Sequence, residues 1–100
     1  MKYIKKAIPI EAFQYKGDFI ENGKYCIPEW AIKAYEDGLL YYKDEGDLYI
    51  HTLEGEMKCS FNSYIVQGVR GEIYACRQDI FEETYMAVGG RKIFLKKKLN

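Results

Sequence analysis

The sequence predicts a small α+β domain in which a curled, barrel-like antiparallel sheet of about five strands carries one docked helix near residues 28–37 and a short C-terminal helix near 80–85. Three observations predict it. The chain has 100 residues, the size of one domain with one modest core. Apolar and polar residues alternate between residues 48 and 61, as they do in strands. The spacing of three and four that is typical of a helix appears in residues 28–37.

The opening strand is predicted over residues 2–15. Ile10 and Ala12 fall on one of its faces and Phe13 falls on the other. Pro9 has no backbone N–H to donate, so we expect the strand to lie at an edge of the sheet or to begin near Pro9. An exposed edge there could pair two copies of the chain, although the sequence leaves the oligomeric state open.

A helix is predicted over residues 28–37. Pro28 suits the first helical position, and Gly38 is a favourable stop. A helix of this length does not persist alone, so its apolar stripe should dock on the sheet, with Trp30 as a core anchor. The stripe comprises Ile27, Trp30, Ala31, Ala34 and Tyr35.

Residues 48–61 predict the first central hairpin, beside a strand over residues 39–42. A two-residue turn at Glu54-Gly55 would give the hairpin one apolar face and one mixed face, which fixes the strand register. The predicted partners are Thr52 with Met57, Ile50 with Cys59, and Leu48 with Phe61. The mixed face collects Tyr49, His51, Leu53, Glu56, Lys58 and Ser60.

A second hairpin is predicted from residues 64–69 and 72–77, joined by a turn at Arg70-Gly71. Both of its faces are apolar, which indicates a pair of strands covered on both sides or a strongly curled sheet. Gly68 would form a bulge that helps the curl. The predicted faces are Val66, Ile73 and Ala75 on one side and Ile65, Val69, Tyr74 and Cys76 on the other.

Residues 1–88 are predicted to form a single globular domain, and residues 89–100 a basic C-terminal tail. Asp79 and Glu82 are spaced as a capping box for the short helix near residues 80–85. The last residues are rich in lysine and too few to fold alone, so we expect a mobile appendage.

The net charge of zero hides an asymmetry. All fifteen acidic residues lie in residues 1–89, which makes this part mildly acidic and does not favour a broad phosphate-binding face. If the chain binds nucleic acid, the contact would have to be made by the basic C-terminal tail. The basic residues of the tail are Arg91, Lys92, Lys96, Lys97 and Lys98.

The sequence carries no motif that specifies a reaction. Three cysteines without a C-x-x-C spacing indicate reduced thiols rather than a disulfide framework. In the predicted hairpin His51, the only histidine, and Cys59 point to opposite faces, which argues against a cysteine–histidine nucleophile and against a zinc site. We therefore expect no enzymatic activity, no cofactor and no metal. An enzyme acting on a small metabolite would have to use His51 or a cysteine.

No targeting or membrane-spanning segment is predicted. The apolar run from Ala7 to Ile10 is too short for a signal peptide, and no stretch approaches the roughly 20 apolar residues of a membrane span. We expect a cytoplasmic protein without a membrane partner.

Ten tyrosines are an unusual number for this length. Tyrosine suits half-buried sheet faces and binding surfaces equally well, so both interpretations stay open. The predicted binding surface comprises Tyr41, Tyr42, Tyr49, His51 and Lys58.

Both ends of the chain resemble a family of small phage and prophage proteins. Residues 1–6 (MKYIKK) and 10–14 (IEAFQ) are similar to its KKPxxIEAFQ start. Residues 68–74 (GVRGEIY) and 79–85 (DIFEETY) are similar to its GVKGExYPCKPDIFExTYE end. The likeness spans residues 1–88. Departures from the family pattern occur at Asn62-Ser63-Tyr64, Ala75 and Gln78.

The resemblance implies a phage or prophage origin and a place in the cytoplasm of an infected or lysogenic bacterium. It supplies no catalytic residues. We expect a small accessory protein that binds a host bacterial protein stoichiometrically and inhibits it, with defence effectors such as CRISPR effectors as the target class. The alternative is a nucleic-acid or nucleotide-binding module that uses the curled sheet and the basic tail.

Overall fold

A computed structural model describes residues 8–88 and 93–97 of the chain. Within them lie two helices and ten strands in three antiparallel sheets, so the α+β class is confirmed, and the sheets do not close into a barrel. The helices are α1 (Glu29–Glu36) and α2 (Gln78–Thr84). The strands are β1 (Ile10–Gln14), β2 (Ile20–Glu21), β3 (Lys24–Tyr25), β4 (Leu40–Tyr42), β5 (Leu48–Thr52), β6 (Gly55–Cys59), β7 (Tyr64–Gln67), β8 (Ile73–Cys76), β9 (Tyr85–Ala87) and β10 (Ile93–Lys96).

The largest sheet has the strand order β8-β7-β1-β10-β9, and apolar clusters cover both of its faces. On one face, Phe13 and Ile65 join a cluster with α1 and the three-stranded sheet β4-β5-β6. On the other face, Ala12 and Val66 join a smaller cluster closed by Phe81 of α2. The prediction that the second hairpin is covered on both sides is confirmed.

The predicted register of that second hairpin is wrong by one residue. Val66 pairs with Tyr74, and Ile65 pairs with Ala75, so the apolar residues of the two strands group differently from the prediction. The reason is the turn. Gly68 N–H donates to the carbonyl oxygen of Glu72 at 2.8 Å, which leaves a three-residue connection whose last residue, Gly71, has φ +82°. Gly68 therefore continues the pairing instead of forming a bulge.

The register of the first hairpin is wrong by two residues. Leu48 pairs with Cys59 and Ile50 pairs with Met57, because Thr52 and Gly55 close the hairpin around Leu53 and Glu54. Gly55 has φ +113°, a conformation that side chains rarely adopt, so glycine belongs after the turn and not within it. Because side chains alternate with a period of two, the even shift leaves the predicted faces unchanged.

The first helix is confirmed but is one residue shorter at each end than predicted, because Pro28 has an extended backbone and occupies the cap position rather than the first helical position. Pro28 precedes α1 with φ −62°, and Gly38 follows its end. Ala31 and Ala34 are buried in the larger cluster, and the Trp30 ring lies 5.6 Å from the Phe13 ring. The apolar stripe docks on the sheets and Trp30 anchors it, as expected.

The second helix begins at Gln78, two residues earlier than predicted, and the capping box does not form. The Asp79 carboxylate accepts a hydrogen bond from the Arg77 guanidinium at 2.9 Å and another from the backbone of Ile80. Arg77 occupies the cap position without a side-chain cap bond. The inward residue is Phe81, which is 1% exposed.

The expectation of a mobile basic tail is wrong for residues 93–96, which form β10 between β1 and β9. Phe94 pairs with Ile10 and with Ala87 across the two strands, and its ring packs edge-on against Phe81 at 4.8 Å. The strand β1 is consequently internal, so it offers no edge for pairing two copies. Arg91, Lys92 and Lys98 lie outside the described residues.

Candidate functional site

The candidate site is the outer face of the three-stranded sheet, which we call the tyrosine face. The inner face of the same strands is buried and includes Leu40, Leu48 and Ile50. Side chains alternate between faces along a strand, so the intervening residues point to solvent. The tyrosine face comprises Tyr41, Lys43, Tyr49, His51, Glu56 and Lys58.

Cross-strand pairing sets this face in two rows. Tyr41, Tyr49 and Lys58 stand side by side on β4, β5 and β6, and His51 stands opposite Glu56 in the adjacent row. The Tyr41 and Tyr49 rings are 6.2 Å apart with a 60° tilt, a favourable geometry for neighbouring aromatic rings. The register therefore brings together residues that are up to 17 positions apart in the chain.

Glu56 links Tyr41 of the first row to Lys43, which follows β4 on the same face. Its carboxylate accepts hydrogen bonds from the Tyr41 hydroxyl and the Lys43 ammonium. The Lys43 Nζ also lies 4.1 Å from the centroid of the Tyr49 ring, within the range of a cation–π contact. Four side chains thus form a closed network on the surface.

The network changes the proton affinity of its members. The hydrogen bond to Glu56 raises the pKa of Tyr41 to about 12, and the same carboxylate raises the pKa of Lys43. The hydrogen bond from Lys43, followed by that from Tyr41, lowers the pKa of Glu56. Because these groups are exposed, solvent screens the network and it adds little to stability. What the network does is join the Tyr41 and Tyr49 rings to one carboxylate and one ammonium group.

Four of the five residues predicted for the binding surface share this face, and Tyr42 does not. Tyr42 points inward, where its hydroxyl accepts a hydrogen bond from the Tyr15 hydroxyl at 3.1 Å and its ring lies 5.6 Å from that of Phe19. Burial raises its pKa. Neighbouring residues of one strand face opposite ways, so grouping Tyr41 with Tyr42 was wrong. The sequence-based surface also omitted Lys43 and Glu56, whose importance appears only with the pairing of β4, β5 and β6.

The structure separates His51 from Cys59, as predicted. His51 is exposed on the tyrosine face, whereas Cys59 is buried on the inner face, where burial raises the pKa of its thiol to about 12. A thiol with such a pKa is a poor nucleophile and a poor metal ligand at neutral pH. Across residues 8–88 and 93–97, no group of three His, Cys, Asp or Glu side chains is arranged to hold a metal ion.

The thiols are expected to differ sharply in reactivity. Cys26 is exposed and Cys59 is buried, so an alkylating reagent should modify Cys26 at least about 100-fold faster than Cys59 in the native protein. Peptide mapping by mass spectrometry measures both rates, and denaturant should make them similar. Equal labelling of the two thiols without denaturant would show that β6 is not packed as described.

Two open depressions, of about 300 and 410 Å³, lie on either side of Phe61. Phe61 is 64% exposed and lies in the turn between β6 and β7, where Asn62 has φ +73° and donates its backbone N–H to the Tyr15 carbonyl. Charged residues at the depressions are paired locally, Lys58 with Asp47 at 3.5 Å and Arg77 with Asp79 at 2.9 Å. This arrangement provides no converging set of polar groups for a small ligand.

Of the basic residues assigned to a nucleic-acid site, only Lys96 and Lys97 are described. Lys96 stands opposite Tyr85 at the end of β10. Lys97 donates its backbone N–H to the Thr84 carbonyl at 2.6 Å, and its ammonium binds the carbonyl oxygen of Glu82. Lys96 ends the internal strand β10 and Lys97 follows it directly, so neither residue lies on a separate arm. No helix among the described residues is long and apolar enough to cross a membrane.

Neither a protein family, nor a characterised protein, nor a solved structure matches this chain. A relationship to phage proteins, which the residues at both ends of the chain suggest, therefore stays a prediction. What the geometry adds is an exposed sheet face of aromatic and paired charged side chains.

Proposed function

We propose that this chain is a small phage or prophage accessory protein that binds a host bacterial protein stoichiometrically through the tyrosine face. The target class that we propose is host defence effectors, CRISPR effectors among them, which the bound protein would inhibit. The origin rests on the resemblance of residues 1–14 and 68–85 to phage proteins. The mode of action rests on the tyrosine face.

The network of Tyr41, Lys43, Tyr49 and Glu56 is the observation that carries the proposal. Tyrosine is enriched where protein interfaces draw most of their binding energy, because its ring is large and it has few rotatable bonds. Here the hydrogen bonds and the cation–π contact already join the rings in the unbound chain. Such preorganisation reduces the entropy lost on association and so favours affinity.

The shape and charge of the face favour a protein partner over nucleic acid. The face is the solvent-exposed side of a three-stranded sheet without a deep cleft among the described residues, which suits the surface of another folded protein. Its two lysines are balanced by carboxylates, since Lys43 pairs with Glu56 and Lys58 pairs with Asp47. A phosphate-binding surface needs an excess of positive charge, which this face lacks.

The proposal is tested by capture with purified protein carrying a tag. The wild-type chain should retain one bacterial protein at a 1:1 ratio, and Tyr49→Ala should weaken the affinity for it by roughly tenfold or more, the loss expected at an interface hot spot. Tyr25→Ala is the matched control, because Tyr25 is an exposed strand tyrosine of β3, outside the tyrosine face. The control should change the affinity less than about twofold.

Two results would overturn the proposal. One is equal loss of binding in Tyr49→Ala and Tyr25→Ala. The other is capture of nucleic acid alone, with an affinity that falls steeply with salt, which is the behaviour of a nucleic-acid module. In cells that carry the targeted defence system, expression of the chain should restore phage growth, and Tyr49→Ala should not.

A further inference from the structure

The strand β9 forms an open edge of the five-stranded sheet. On its inner side it pairs with β10, and no other strand within residues 8–88 and 93–97 pairs with its outer side. Val88 N–H donates to the Ile93 carbonyl at 2.9 Å, so the backbone groups of Val88 point to β10. Because backbone groups alternate along a strand with a period of two, those of Met86 point to β10 as well. In an antiparallel ladder the residues between them point the other way. The N–H and C=O of Ala87 and the C=O of Tyr85 therefore face outward.

The opposite edge of the same sheet is protected. There the backbone N–H of Ala75 in β8 contacts the Met57 sulfur of β6 at 3.2 Å. Natural proteins commonly guard an open edge with a charged side chain, a proline or a bulge. The residues of β9, Tyr85, Met86 and Ala87, provide none of these.

An apolar patch continues from the open edge onto the sheet. Met86 pairs with Leu95, and Val88 stands opposite Ile93, so these four side chains share one face of the sheet. Met86 is 54% exposed, and Val88 is exposed as well. Unpaired backbone groups and exposed apolar side chains therefore lie next to each other at this edge of the sheet.

We propose that the protein forms a symmetric dimer in which β9 pairs antiparallel with β9 of a second copy. Tyr85 of each copy would stand opposite Ala87 of the other, so that the Ala87 N–H of each copy donates to the Tyr85 C=O of its partner, and Met86 would face Met86 across the twofold axis. The Tyr85 N–H takes no part, because it donates to the Phe81 carbonyl at the end of α2. A second copy fits because this edge is self-complementary. It carries no charge, so no like charges meet at the axis, and the two apolar patches become one.

The dimer is independent of the proposed function, because the tyrosine face lies on a different sheet. Its interface is a three-residue strand with an adjoining patch, at the small end of specific interfaces. We therefore expect a dissociation constant on the order of 10 μM.

Sedimentation of the full chain at concentrations around that value tests the pairing. Met86→Lys and Met86→Glu should each weaken the dimer by roughly tenfold or more, because like charges would stand opposite each other. A 1:1 mixture of the two variants should restore association, because opposite charges then meet at the axis. Ile80→Lys is the control. Ile80 is 48% exposed on α2, outside the β9 edge, so this variant should dimerise as the wild type does.

Ala87→Pro gives a second, independent test. It removes an outward N–H that the sheet does not use, so circular dichroism should show a folded chain while the dimer is lost. A wild-type chain that sediments as a monomer at about 200 μM, far above the expected constant, would overturn the proposal. So would a mixture of folded Met86→Lys and Met86→Glu that fails to associate, or a folded Ala87→Pro that dimerises normally.

Discussion

A chain that ends at residue 88 is expected to lose its cooperative unfolding transition. The truncation removes β10, which lies between β1 and β9 and hydrogen-bonds with both. It also removes Phe94, whose ring packs against Phe81 and against Tyr64 at 6.1 Å. Loss of one packed Phe side chain alone costs about 3–5 kcal/mol, and a domain of this size holds only about 5–15 kcal/mol in total.

Urea unfolding followed by circular dichroism measures the effect. Lys96→Ala serves as the control within the same strand, because Lys96 is exposed and its removal should change the free energy of unfolding by less than about 0.5 kcal/mol. A truncated chain that unfolds cooperatively at the wild-type midpoint would show that residues 89–100 are the dispensable tail suggested by their composition.

Phe81→Ala is expected to be the most destabilising single substitution in the smaller cluster, at about 3–5 kcal/mol. The Phe81 ring stacks on Tyr64 at 4.0 Å and on Tyr85 at 4.9 Å. Aromatic pairs of this kind add to the energy of burial. Since α2 rests on this cluster, the cavity would weaken the attachment of the helix to the sheet.

The neighbouring residue provides the control for Phe81→Ala. Ile80 belongs to the same helix and is half exposed, so Ile80→Ala should cost less than about 1 kcal/mol. Both values come from the urea midpoint, with the slope of the transition checked for constancy. Similar costs for the two variants would mean that α2 does not present Phe81 to the core.

The parts of the fold that follow from local periodicity were predicted correctly. The stripe on α1 and the two faces of β5 and β6 are visible in short windows of sequence, because burial imposes periods of about 3.6 and 2. The registers were wrong because they depend on where glycine follows a turn. In the hairpin that contains Gly55, the register error was two residues, which leaves every side chain on its predicted face. In the hairpin that contains Gly71, the error was one residue, which moves the side chains of one strand to the opposite face relative to the other strand.

The strand β10 was missed because its partners are remote. Ile10 and Phe94 are 84 positions apart, and no local pattern shows that a short Ile-Phe-Leu run fills the gap between β1 and β9. The surrounding lysines made the segment resemble a solvated tail. Long-range pairing of this kind is the least accessible part of a fold from one sequence.

The candidate site was predicted in part for the same physical reason. The alternation along β5 placed Tyr49 and His51 on the solvent face, and the structure agrees. The same rule, applied to β4, would have separated Tyr41 from Tyr42. The link through Glu56 required the register of all three strands, so neither Lys43 nor Glu56 was recognised as part of the site.

Site-specific photo-crosslinking in bacteria tests the central claim, that the tyrosine face binds a host protein. A photo-crosslinking amino acid is placed at position 58, on the face, and in a control chain at position 33, which is exposed on α1. We expect position 58 to give one adduct with the mass of one chain plus one bacterial protein, and Tyr49→Ala to remove it. Position 33 should give none. An adduct that forms equally from both positions, or from position 33 alone, would contradict the account.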